Sequence, residues 1–330
     1  AGINTATAKY MTDFASEYGL RYFLLDYGWT KGEDLTQVIP ELDMEEVVRY
    51  ARSKNVDVIL WVTYANFDAQ MDAALTQFKK WGIKGVKIDF MNRADQEMVN
   101  FYWRAAEQCA KYKMVIDFHG AYQPDGLRRA YPNVLTREAL IEFEYNGWSD
   151  YDSPDHHCML PFIRNVAGPM DYIPGTMFNS TKKTFQKIED IPVGQGTRAH
   201  SLAMAVIAES PMQMVPDAPS EYYREEECAR FLTAIPVEWD EIVPLAGKIG
   251  DYIALARRHG DDWYVAAITD WTPRELELDF SFLDDRGEYS LELIRDGINA
   301  DIRANDYKKE NRKVKRGDHL TVSLASGGGW

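Results

Sequence analysis

The sequence predicts an α/β fold, with a (β/α)8 TIM-type barrel over residues 1–246 and a small antiparallel β-sandwich domain over residues 247–330. Two observations lead to this prediction. An amphipathic helix, a Gly or Asn stop, an apolar strand and a polar loop repeat through the first two-thirds of the chain. Such alternation is typical of a parallel sheet. Beyond about Gly247 the helices cease, and short strands joined by Gly/Asp turns follow.

The elements of the first region follow from hydrophobic spacing. The predicted helices are Thr5–Tyr18, Met44–Lys54, Asp68–Trp81 and Gln96–Tyr112. The predicted strands are Leu20–Leu25, Val56–Val62, Val86–Asp89, Met114–His119, Val134–Glu138, a short one at Met170–Tyr172, and Gln213–Asp217. A closed barrel needs eight strands, and this chain starts on a helix. We therefore expect the first barrel strand to precede Ala1 in a longer polypeptide.

The second region is predicted to hold short antiparallel strands. They are Asp251–Arg258, Asp262–Thr269, Tyr289–Ile294 and His319–Leu324. Two further stretches of this region show no strand pattern. The basic run Lys308–Arg316 is interpreted as a solvated loop, and Gly327–Gly329 is interpreted as a flexible tail.

Composition excludes several function classes. A net charge of −15 argues against a nucleic-acid partner, because phosphate binding requires a basic face. No apolar run approaches the roughly 18 residues of a membrane span, and no signal peptide is visible at the start. The three cysteines show neither disulfide-framework nor zinc spacing. Aromatic residues, at 13%, suit a site that stacks on sugars, although core packing explains most aromatics in any protein.

Acidic side chains recur where the predicted strands end. Side chains alternate along a strand, so Lys87 and Asp89 share one face, where they either pair with each other or line a polar pocket. Comparable positions hold Asp26, Asp117 with His119, Glu138, Asp171 and Asp217. The carboxyl ends of the strands carry the active site of a barrel. A cluster of acidic residues there suits glycoside hydrolysis, which uses two carboxyl groups. Any one of these residues alone is equally well explained by a structural hydrogen bond.

Four segments, in this order, resemble glycoside hydrolase family 97: Gly85–Met91, Phe118–Tyr122, Tyr131–Glu138 and Leu160–Tyr172. The resemblance runs from about Asn4 to the C-terminus. It implies either a retaining, α-galactosidase-like branch or an inverting, α-glucosidase-like branch. It also implies a β-sandwich domain ahead of the barrel, a small β domain after it, and a periplasmic or secreted protein.

The resemblance implies roles for individual residues. Asp89 would be the nucleophile, Glu144 the general acid/base, and Glu138 a calcium ligand, with Glu144 also contacting the ion. The inverting branch has a glutamate where this chain has Gly120, and it lacks a carboxylate at the position of Asp89, so retention is favoured. Glu142 is a rival for the acid. Calcium takes six to eight oxygens, so the upstream domain would have to complete its ligand set.

Four side chains are predicted to bind the substrate: Asp26, Trp29, Lys87 and His119. Asp26 would bind a sugar hydroxyl and Trp29 would stack on the sugar, although core packing explains Trp29 equally well. Lys87 would keep Asp89 ionised and bond a hydroxyl, or would form a plain salt bridge. His119 would line the pocket of the sugar that is cleaved off.

Two further polar groups are interpreted as structural. The side chains of Asp155, His156 and His157 suggest a metal site, but adjacent histidines do not project to one face of regular structure. Hydrogen bonding within a loop is therefore the better interpretation. Arg137 and Arg164 are interpreted as partners of the acidic residues at the strand ends.

The sequence thus predicts a retaining, exo-acting α-galactosidase that acts on an α-galactoside or oligosaccharide. Three alternatives stay open. The sugar can be β-L-arabinopyranose, which resembles galactose without its hydroxymethyl group. The enzyme can be an inverting α-glucosidase of the same family. A protein of a different class, a carbohydrate-binding barrel without catalysis, also fits. Retention requires carboxyl groups about 5–5.5 Å apart, and inversion about 6.5–9.5 Å.

Overall fold

The computed structural model describes residues 2–330. It divides the chain after Ala139 into a first unit that ends there and a second unit that runs from Leu140 to Trp330. The predicted domains, a barrel over residues 1–246 and a β-sandwich over residues 247–330, stay a prediction. No helix among the described residues combines the length and apolar character that crossing a membrane requires.

The first unit alternates helices and strands as the hydrophobic spacing predicts. Its strands are β1 (Tyr22–Leu25), β2 (Thr30–Lys31), β3 (Asp34–Val38), β4 (Asp57–Thr63), β5 (Gly85–Asp89), β6 (Val115–Phe118) and β7 (Val134–Arg137). Its helices are α1 (Thr5–Glu17), α2 (Met44–Ser53), α3 (Tyr64–Trp81), α4 (Gln96–Lys111) and α5 (Leu127–Ala130). The four helices and five strands that the sequence predicts before residue 139 are confirmed, and their ends agree with the prediction to within a few residues.

Side-chain caps explain where the long helices begin. Asn4 and Asp43 accept hydrogen bonds from the backbone N–H groups of Thr7 and Glu46, both at 2.9 Å. Thr63 and Asp95 cap α3 and α4 in the same way. A capped helix satisfies backbone donors that its first turn would otherwise leave without partners. The N-terminus of each helix is therefore set locally.

A parallel sheet in the order β1-β4-β5-β6-β7 forms the centre of this unit. Its strands are continuous apolar runs because helices cover a parallel sheet on its faces. The register places Thr63 opposite Asp89 and Lys87 opposite Asp117. Since all five strands run in one direction, the residues that follow them gather at the same edge of the sheet.

The second unit begins with short helices and ends in antiparallel strands. Its helices are α6 (Pro154–His157), α7 (Leu160–Ile163), α8 (Arg198–Ile207), α9 (Pro219–Arg224) and α10 (Glu226–Thr233), with 3₁₀ helices at Phe143–Gly147 and Asn165–Ala167. Its strands are β8 (Asn179–Ser180), β9 (Gly194–Gln195), β10 (Glu241–Lys248), β11 (Tyr252–His259), β12 (Asp262–Thr269), β13 (Arg274–Asp279), β14 (Tyr289–Asp296), β15 (Tyr307–Val314) and β16 (His319–Leu324). The longer strands pair as β10-β11-β12, β13-β16 and β14-β15. The predicted antiparallel region is confirmed.

Two predicted barrel strands are wrong. Residues 170–172 and 213–217 form no strand in the described chain, because their backbone groups bond elsewhere. The guanidinium of Arg164 donates to the carbonyl of Pro169, and the Met170 N–H donates to the Glu209 carbonyl, each at 2.9 Å. In the second stretch Pro216 has no N–H to donate. The parallel sheet of residues 2–330 therefore holds five of the seven predicted barrel strands.

Two predictions about the C-terminal region are also wrong. The basic run is strand β15, paired with β14, because acidic side chains of β14 neutralise it: Lys309 lies 2.8 Å from Glu292. The glycine tail is ordered. Gly329 bridges Ile268, and the backbone of Trp330 exchanges two hydrogen bonds with Ala267. A side chain at position 329 would lie 2.3 Å from the His200 nitrogen, so this close approach requires glycine.

Candidate active site

Asp89, the last residue of β5, is half-buried and held by two N–H donors. The indole Nε1 of Trp61 donates to its Oδ2 at 3.0 Å, and the Phe90 backbone nitrogen donates to its Oδ1 at 2.6 Å. Both oxygens act as acceptors, which suits the carboxylate form. The first donor comes from the neighbouring strand β4 and the second from the next residue. Adjacent strands and the backbone therefore fix the orientation of the carboxylate.

The backbone after Asp89 is strained. Phe90 and Asn92 have φ of 64° and 48°, values that side-chain-bearing residues adopt only at a cost. The Asn92 N–H donates to the Gly120 carbonyl at 2.7 Å, which ties the two strand ends together. Strained backbone of this kind is concentrated at functional sites. The strain and the tie therefore mark this loop as a candidate for function.

A side chain at Gly120 would be strained in this backbone. Its φ is +57°, and a Cβ there would lie 2.7 Å from Asn92 Oδ1 and 3.2 Å from the Phe90 nitrogen. The Gly120 N–H donates to Glu138 Oε2 at 2.6 Å. Gly120 therefore connects the loop after Asp89 with Glu138. A side chain at the position that holds the base in the inverting branch would require Asn92 and the neighbouring backbone to shift in this structure.

Lys87 is buried on the same strand as Asp89 and pairs with Asp26. Its Nζ lies 3.4 Å from Asp26 Oδ2, and the Asp26 side chain is about half-exposed. The other oxygen of Asp26 accepts from the Tyr27 nitrogen at 2.7 Å. The structure thus joins two of the predicted substrate-binding residues in one ion pair at the strand ends.

His119 is buried between two carboxylates. Its Nε2 lies 3.4 Å from Asp117 Oδ2, and its Nδ1 lies 3.9 Å from Glu138 Oε2. Asp117 is fully buried, so this histidine–carboxylate pair is shielded from water. The arrangement can orient the ring toward the edge that carries Asp89, and it also gives His119 a structural role.

Trp29 lies in the core, with 1% of its surface exposed, and offers no face for a sugar to stack on. It packs edge-on against Phe78 and Trp81. Its indole nitrogen donates to the Trp61 carbonyl at 2.7 Å. The prediction of a stacking platform at Trp29 is therefore wrong for this structure, and the packing interpretation accounts for the residue.

Trp61 was missed by the sequence prediction, although a signal for it was present. It sits opposite Lys87 in the register of β4 and β5, so strand alternation places it on the polar face. Tyr27 and Phe90 meet its ring edge-on, with centroids 5.4 and 5.8 Å away, and are 75% and 59% exposed. These two exposed rings, next to Asp89 and Asp26, are the aromatic surfaces that suit contact with a sugar.

In the second unit, the 3₁₀ helix Phe143–Gly147 distinguishes the two candidates for the acid. Glu142 is fully buried, and its Oε2 caps this helix by accepting from the Glu144 nitrogen at 2.9 Å. The side chain of Glu144 is exposed. A general acid must reach the leaving oxygen, so exposure favours Glu144 and capping explains Glu142.

The remaining polar groups make local hydrogen bonds and ion pairs. His156 Nε2 contacts the Ile141 carbonyl and His157 Nε2 contacts Asp152 Oδ1, at 2.9 and 2.8 Å, so the adjacent histidines serve separate hydrogen bonds. Arg137 pairs with Asp125 at 3.2 Å. The Arg164 guanidinium donates to the backbone carbonyls of Gly168 and Pro169.

Comparisons with known proteins agree on one family. The model of the family described as glycoside hydrolase 97 matches residues 1–140, and the model described as glycosyl-hydrolase 97 C-terminal, oligomerisation, matches residues 238–330. The whole chain is 47% identical to half of a retaining α-galactosidase from Bacteroides thetaiotaomicron, over 333 residues.

Solved structures give the same result. A family 97 enzyme from Pseudoalteromonas sp. strain K8, in complex with acarbose, superposes with a TM-score of 0.90 at 31% identity, covering 100% of this chain and 56% of that one. A β-arabinopyranosidase superposes with a TM-score of 0.82 at 26% identity, covering 99% and 52%. The chain therefore spans about half the length of the relatives it matches.

Proposed function

The chain belongs to glycoside hydrolase family 97, and from this premise we propose that it carries the catalytic residues of a retaining, exo-acting α-galactosidase. One observation carries the proposal. A carboxylate at the end of a parallel strand, Asp89, is held by two N–H donors at the edge where the strand ends meet. A carboxylate oriented in this way can act as a nucleophile.

In the first step, an oxygen of Asp89 attacks the anomeric carbon of the sugar. The bond between that carbon and the glycosidic oxygen breaks, and Glu144 donates its proton to the departing oxygen. A glycosyl ester of Asp89 forms and the alcohol leaves. The N–H groups of Trp61 and Phe90 aim the carboxylate during the attack.

In the second step, the Glu144 carboxylate takes a proton from water, and the oxygen of that water attacks the anomeric carbon. The ester bond breaks, Asp89 is released as a carboxylate, and Glu144 is again protonated. Each step inverts the anomeric carbon, so the sugar leaves with its original configuration.

Gly120 supports retention over inversion. An inverting enzyme activates water with a second base, which the inverting branch places at the position of Gly120. In this chain a side chain there would overlap Asn92 and approach the backbone of Phe90. The carboxylate at the end of β5 and the strained glycine at the position of the base both support retention.

Substrate binding is proposed for Asp26, Lys87 and His119, which lie at the same edge as Asp89. The Lys87–Asp26 pair offers both a donor and acceptors to sugar hydroxyls. We add Tyr27 and Phe90 as apolar contacts of the sugar or its aglycone, in place of Trp29.

Calcium is proposed as the cofactor. Glu138 and Glu144 would contribute ligands, because hard carboxylate oxygens are the donors that calcium prefers. The buried position of Glu138 beside the Gly120 N–H fits a fixed ligand. When bound, the ion would supply positive charge that orients the Glu144 side chain. Two carboxylates do not complete a calcium site, so further ligands would come from an upstream β-sandwich domain.

Three broader features are proposed on the same premise. The five-stranded parallel sheet would form part of a (β/α)8 barrel. The protein would act in the periplasm or outside the cell. Its substrates would be α-galactosides, including oligosaccharides with a terminal galactose.

A second candidate is a retaining β-L-arabinopyranosidase. A β-arabinopyranosidase structure superposes on 99% of this chain at 26% identity, which supports this candidate. The mechanism would be the same, and the difference would lie in the space around the hydroxymethyl group of galactose.

Proton NMR of the first-formed sugar tests the proposal. The complete gene product is given p-nitrophenyl α-galactoside, α-glucoside or β-L-arabinopyranoside in separate reactions. We expect the galactoside to be cleaved fastest and α-galactose to appear before mutarotation. First formation of the β anomer would overturn retention, and preference for the arabinopyranoside would replace the α-galactosidase by the second candidate.

A further inference from the structure

A chain of buried polar side chains in the second unit ends at the helix that carries Glu144. Its members are Asn146, Asp152, His157, Tyr172, Gln195 and His200, none of them more than 8% exposed. They come from the 3₁₀ helix Phe143–Gly147, the loop after it, α6, the loop after α7, β9 and α8. Buried polar groups are costly unless every partner is in place, so such a chain fixes the segments that it joins.

The donors and acceptors define the direction of the chain. The Gly328 carbonyl can only accept, so the Nδ1 of His200, 3.1 Å away, carries a proton. Burial lowers the pKa of His200 well below its usual range, so the ring is neutral and its Nε2 accepts. The Nδ1 of His157, at 2.8 Å from that nitrogen, is therefore the donor.

The other side of His157 faces a carboxylate. Its Nε2 lies 2.8 Å from Asp152 Oδ1. The Tyr172 hydroxyl lies 2.7 Å from the same nitrogen and 3.1 Å from Asp152 Oδ2, to which it donates. His157 and Asp152 thus form a buried, hydrogen-bonded pair.

Asn146, on the 3₁₀ helix, connects that helix to the pair of His157 and Asp152. The Asn146 Nδ2 donates to Asp152 Oδ2 at 2.8 Å. The Oδ1 of Asn146 lies 3.1 Å from the Gln195 carboxamide nitrogen, which is also 3.1 Å from the carbonyls of Asp150 and Asp152. Asn146 is two residues from Glu144 on this short helix. A five-residue 3₁₀ helix has little stability of its own and depends on such contacts.

We propose that His157 is a positioning residue for the general acid/base: through Asp152 and Asn146 it holds the 3₁₀ helix that presents Glu144, and through His200 it anchors that helix to α8 and the C-terminal glycines. The inference rests on the proposed function for its catalytic meaning. Glu144 itself is exposed, so its orientation must come from the helix that carries it.

The first test is kinetic and uses His157→Gln in the complete gene product. A general acid matters most when the leaving group is a poor one. We expect kcat/KM on methyl α-galactoside to fall about 10- to 100-fold, and on 2,4-dinitrophenyl α-galactoside less than about 3-fold. Equal falls on both substrates, or no fall on either, would overturn the positioning role.

Tyr172→Phe is the milder variant if His157→Gln does not fold. It removes one hydroxyl from the same chain, and we expect the same preferential loss on the poor leaving group, by about 3- to 10-fold. Tyr222→Phe is the matched control, because it also removes a fully buried hydroxyl of the second unit, one that bonds to Gly175 and Asp217. In Tyr222→Phe, the ratio of kcat/KM on the two substrates should equal the wild-type ratio.

The second test does not depend on activity. Amide hydrogen exchange of residues 141–150 should be at least about 10-fold faster in His157→Gln, or about 3-fold faster in Tyr172→Phe, with β11 and β12 unchanged. Unchanged exchange there would overturn the proposal. If the wild-type protein cleaves no glycoside, the proposed function fails, and exchange still decides whether His157 holds the helix.

Discussion

Asp89 and Glu144, proposed to act on the same glycosidic bond, are held in opposite ways. The donors to Asp89 are the next residue and a side chain on the neighbouring strand. The helix of Glu144 depends on partners far along the chain: Asn146 meets Gln195, 49 residues away, and His200 meets Gly328, 128 residues away. The nucleophile is thus positioned by a regular sheet, and the acid/base by tertiary contacts.

This difference has a physical basis. A parallel sheet with capped helices repeats one geometry, so alternation alone says which side chains face the strand ends. An irregular segment has no such repeat, and its conformation is decided by which distant polar groups pair with it. The predictions below test this contrast, from the largest expected effect to the smallest.

Glu144→Gln should produce the largest loss. Removing a general acid costs about 10²- to 10⁴-fold, so kcat/KM on methyl α-galactoside should fall within that range. Glu142→Gln is the matched control, because it caps the same helix from a buried position. Glu142→Gln should lower the unfolding midpoint and should change kcat/KM on methyl α-galactoside little. A larger kinetic loss in Glu142→Gln than in Glu144→Gln would reverse the two roles.

The long-range contacts of the second unit predict that the stability of the protein depends on pH. Burial raises the pKa of Asp296 from 3.8 to about 6, and this side chain accepts from the Ala325 and Gly329 nitrogens that fix the C-terminal tail. A raised pKa means that the folded state binds the proton more tightly. The stability from this proton is present below about pH 4 and is lost as the pH rises through about 6, by about 3 kcal/mol.

Urea unfolding between pH 4 and pH 7 measures that loss. Asp296→Asn keeps one oxygen that can accept from both backbone N–H groups, as Oδ2 does, so its unfolding free energy at low pH should be similar to that of the wild-type protein. Its unfolding free energy should nevertheless change less across this pH range than that of the wild-type protein. Equal slopes would show that Asp296 does not titrate as described.

Gly120→Ala tests the local side of the contrast. The Cβ would overlap Asn92 and require a positive φ, which costs about 1–2 kcal/mol before any relaxation. The loop after Asp89 should shift, so we expect a lower unfolding free energy together with a fall in kcat. Gly126→Ala is a control, because a Cβ at Gly126 meets nothing within 4 Å. Similar kcat losses in both variants would contradict the account of the loop.

Trp61→Phe should have a smaller effect. It keeps an aromatic ring but removes the N–H donor to Asp89, which we expect to lower kcat about 10-fold, the value of one hydrogen bond to a charged group. Trp29→Phe removes the donor to the Trp61 carbonyl and should reduce stability instead. A loss of activity in Trp29→Phe that exceeds the loss in Trp61→Phe would show that orientation of Asp89 does not depend on the indole.

The sequence predicted the first unit well and the second unit unevenly, for reasons visible in particular residues. Asp89 and Lys87 were placed together by alternation, and the helices were placed by hydrophobic spacing, which agrees with the caps that Asp43 and Asp95 form in the structure. Residues 170–172 are apolar enough for a strand, yet their backbone bonds to Glu209, a partner that no local pattern reveals.

Charge and burial account for the other differences. The run of lysines and arginines looked like a loop because the strand that it pairs with, β14, and the partner Glu292 on it lie elsewhere in the sequence. Trp29 and Trp61 are both buried, but Trp29 donates to a backbone carbonyl and Trp61 donates to Asp89, a difference that composition cannot predict. The buried pair of His157 and Asp152 required the fold to bring it to Asn146 and His200.

Azide rescue of Asp89→Gly tests the central claim most directly. Azide can occupy the space of the missing carboxylate and attack the anomeric carbon from the face on which Asp89 attacks. With 2,4-dinitrophenyl α-galactoside and the complete gene product, we predict almost no hydrolysis without azide and formation of β-galactosyl azide with it. Hydrolysis at the wild-type rate without azide, or α-galactosyl azide as the product, would contradict the assignment of Asp89 as the nucleophile.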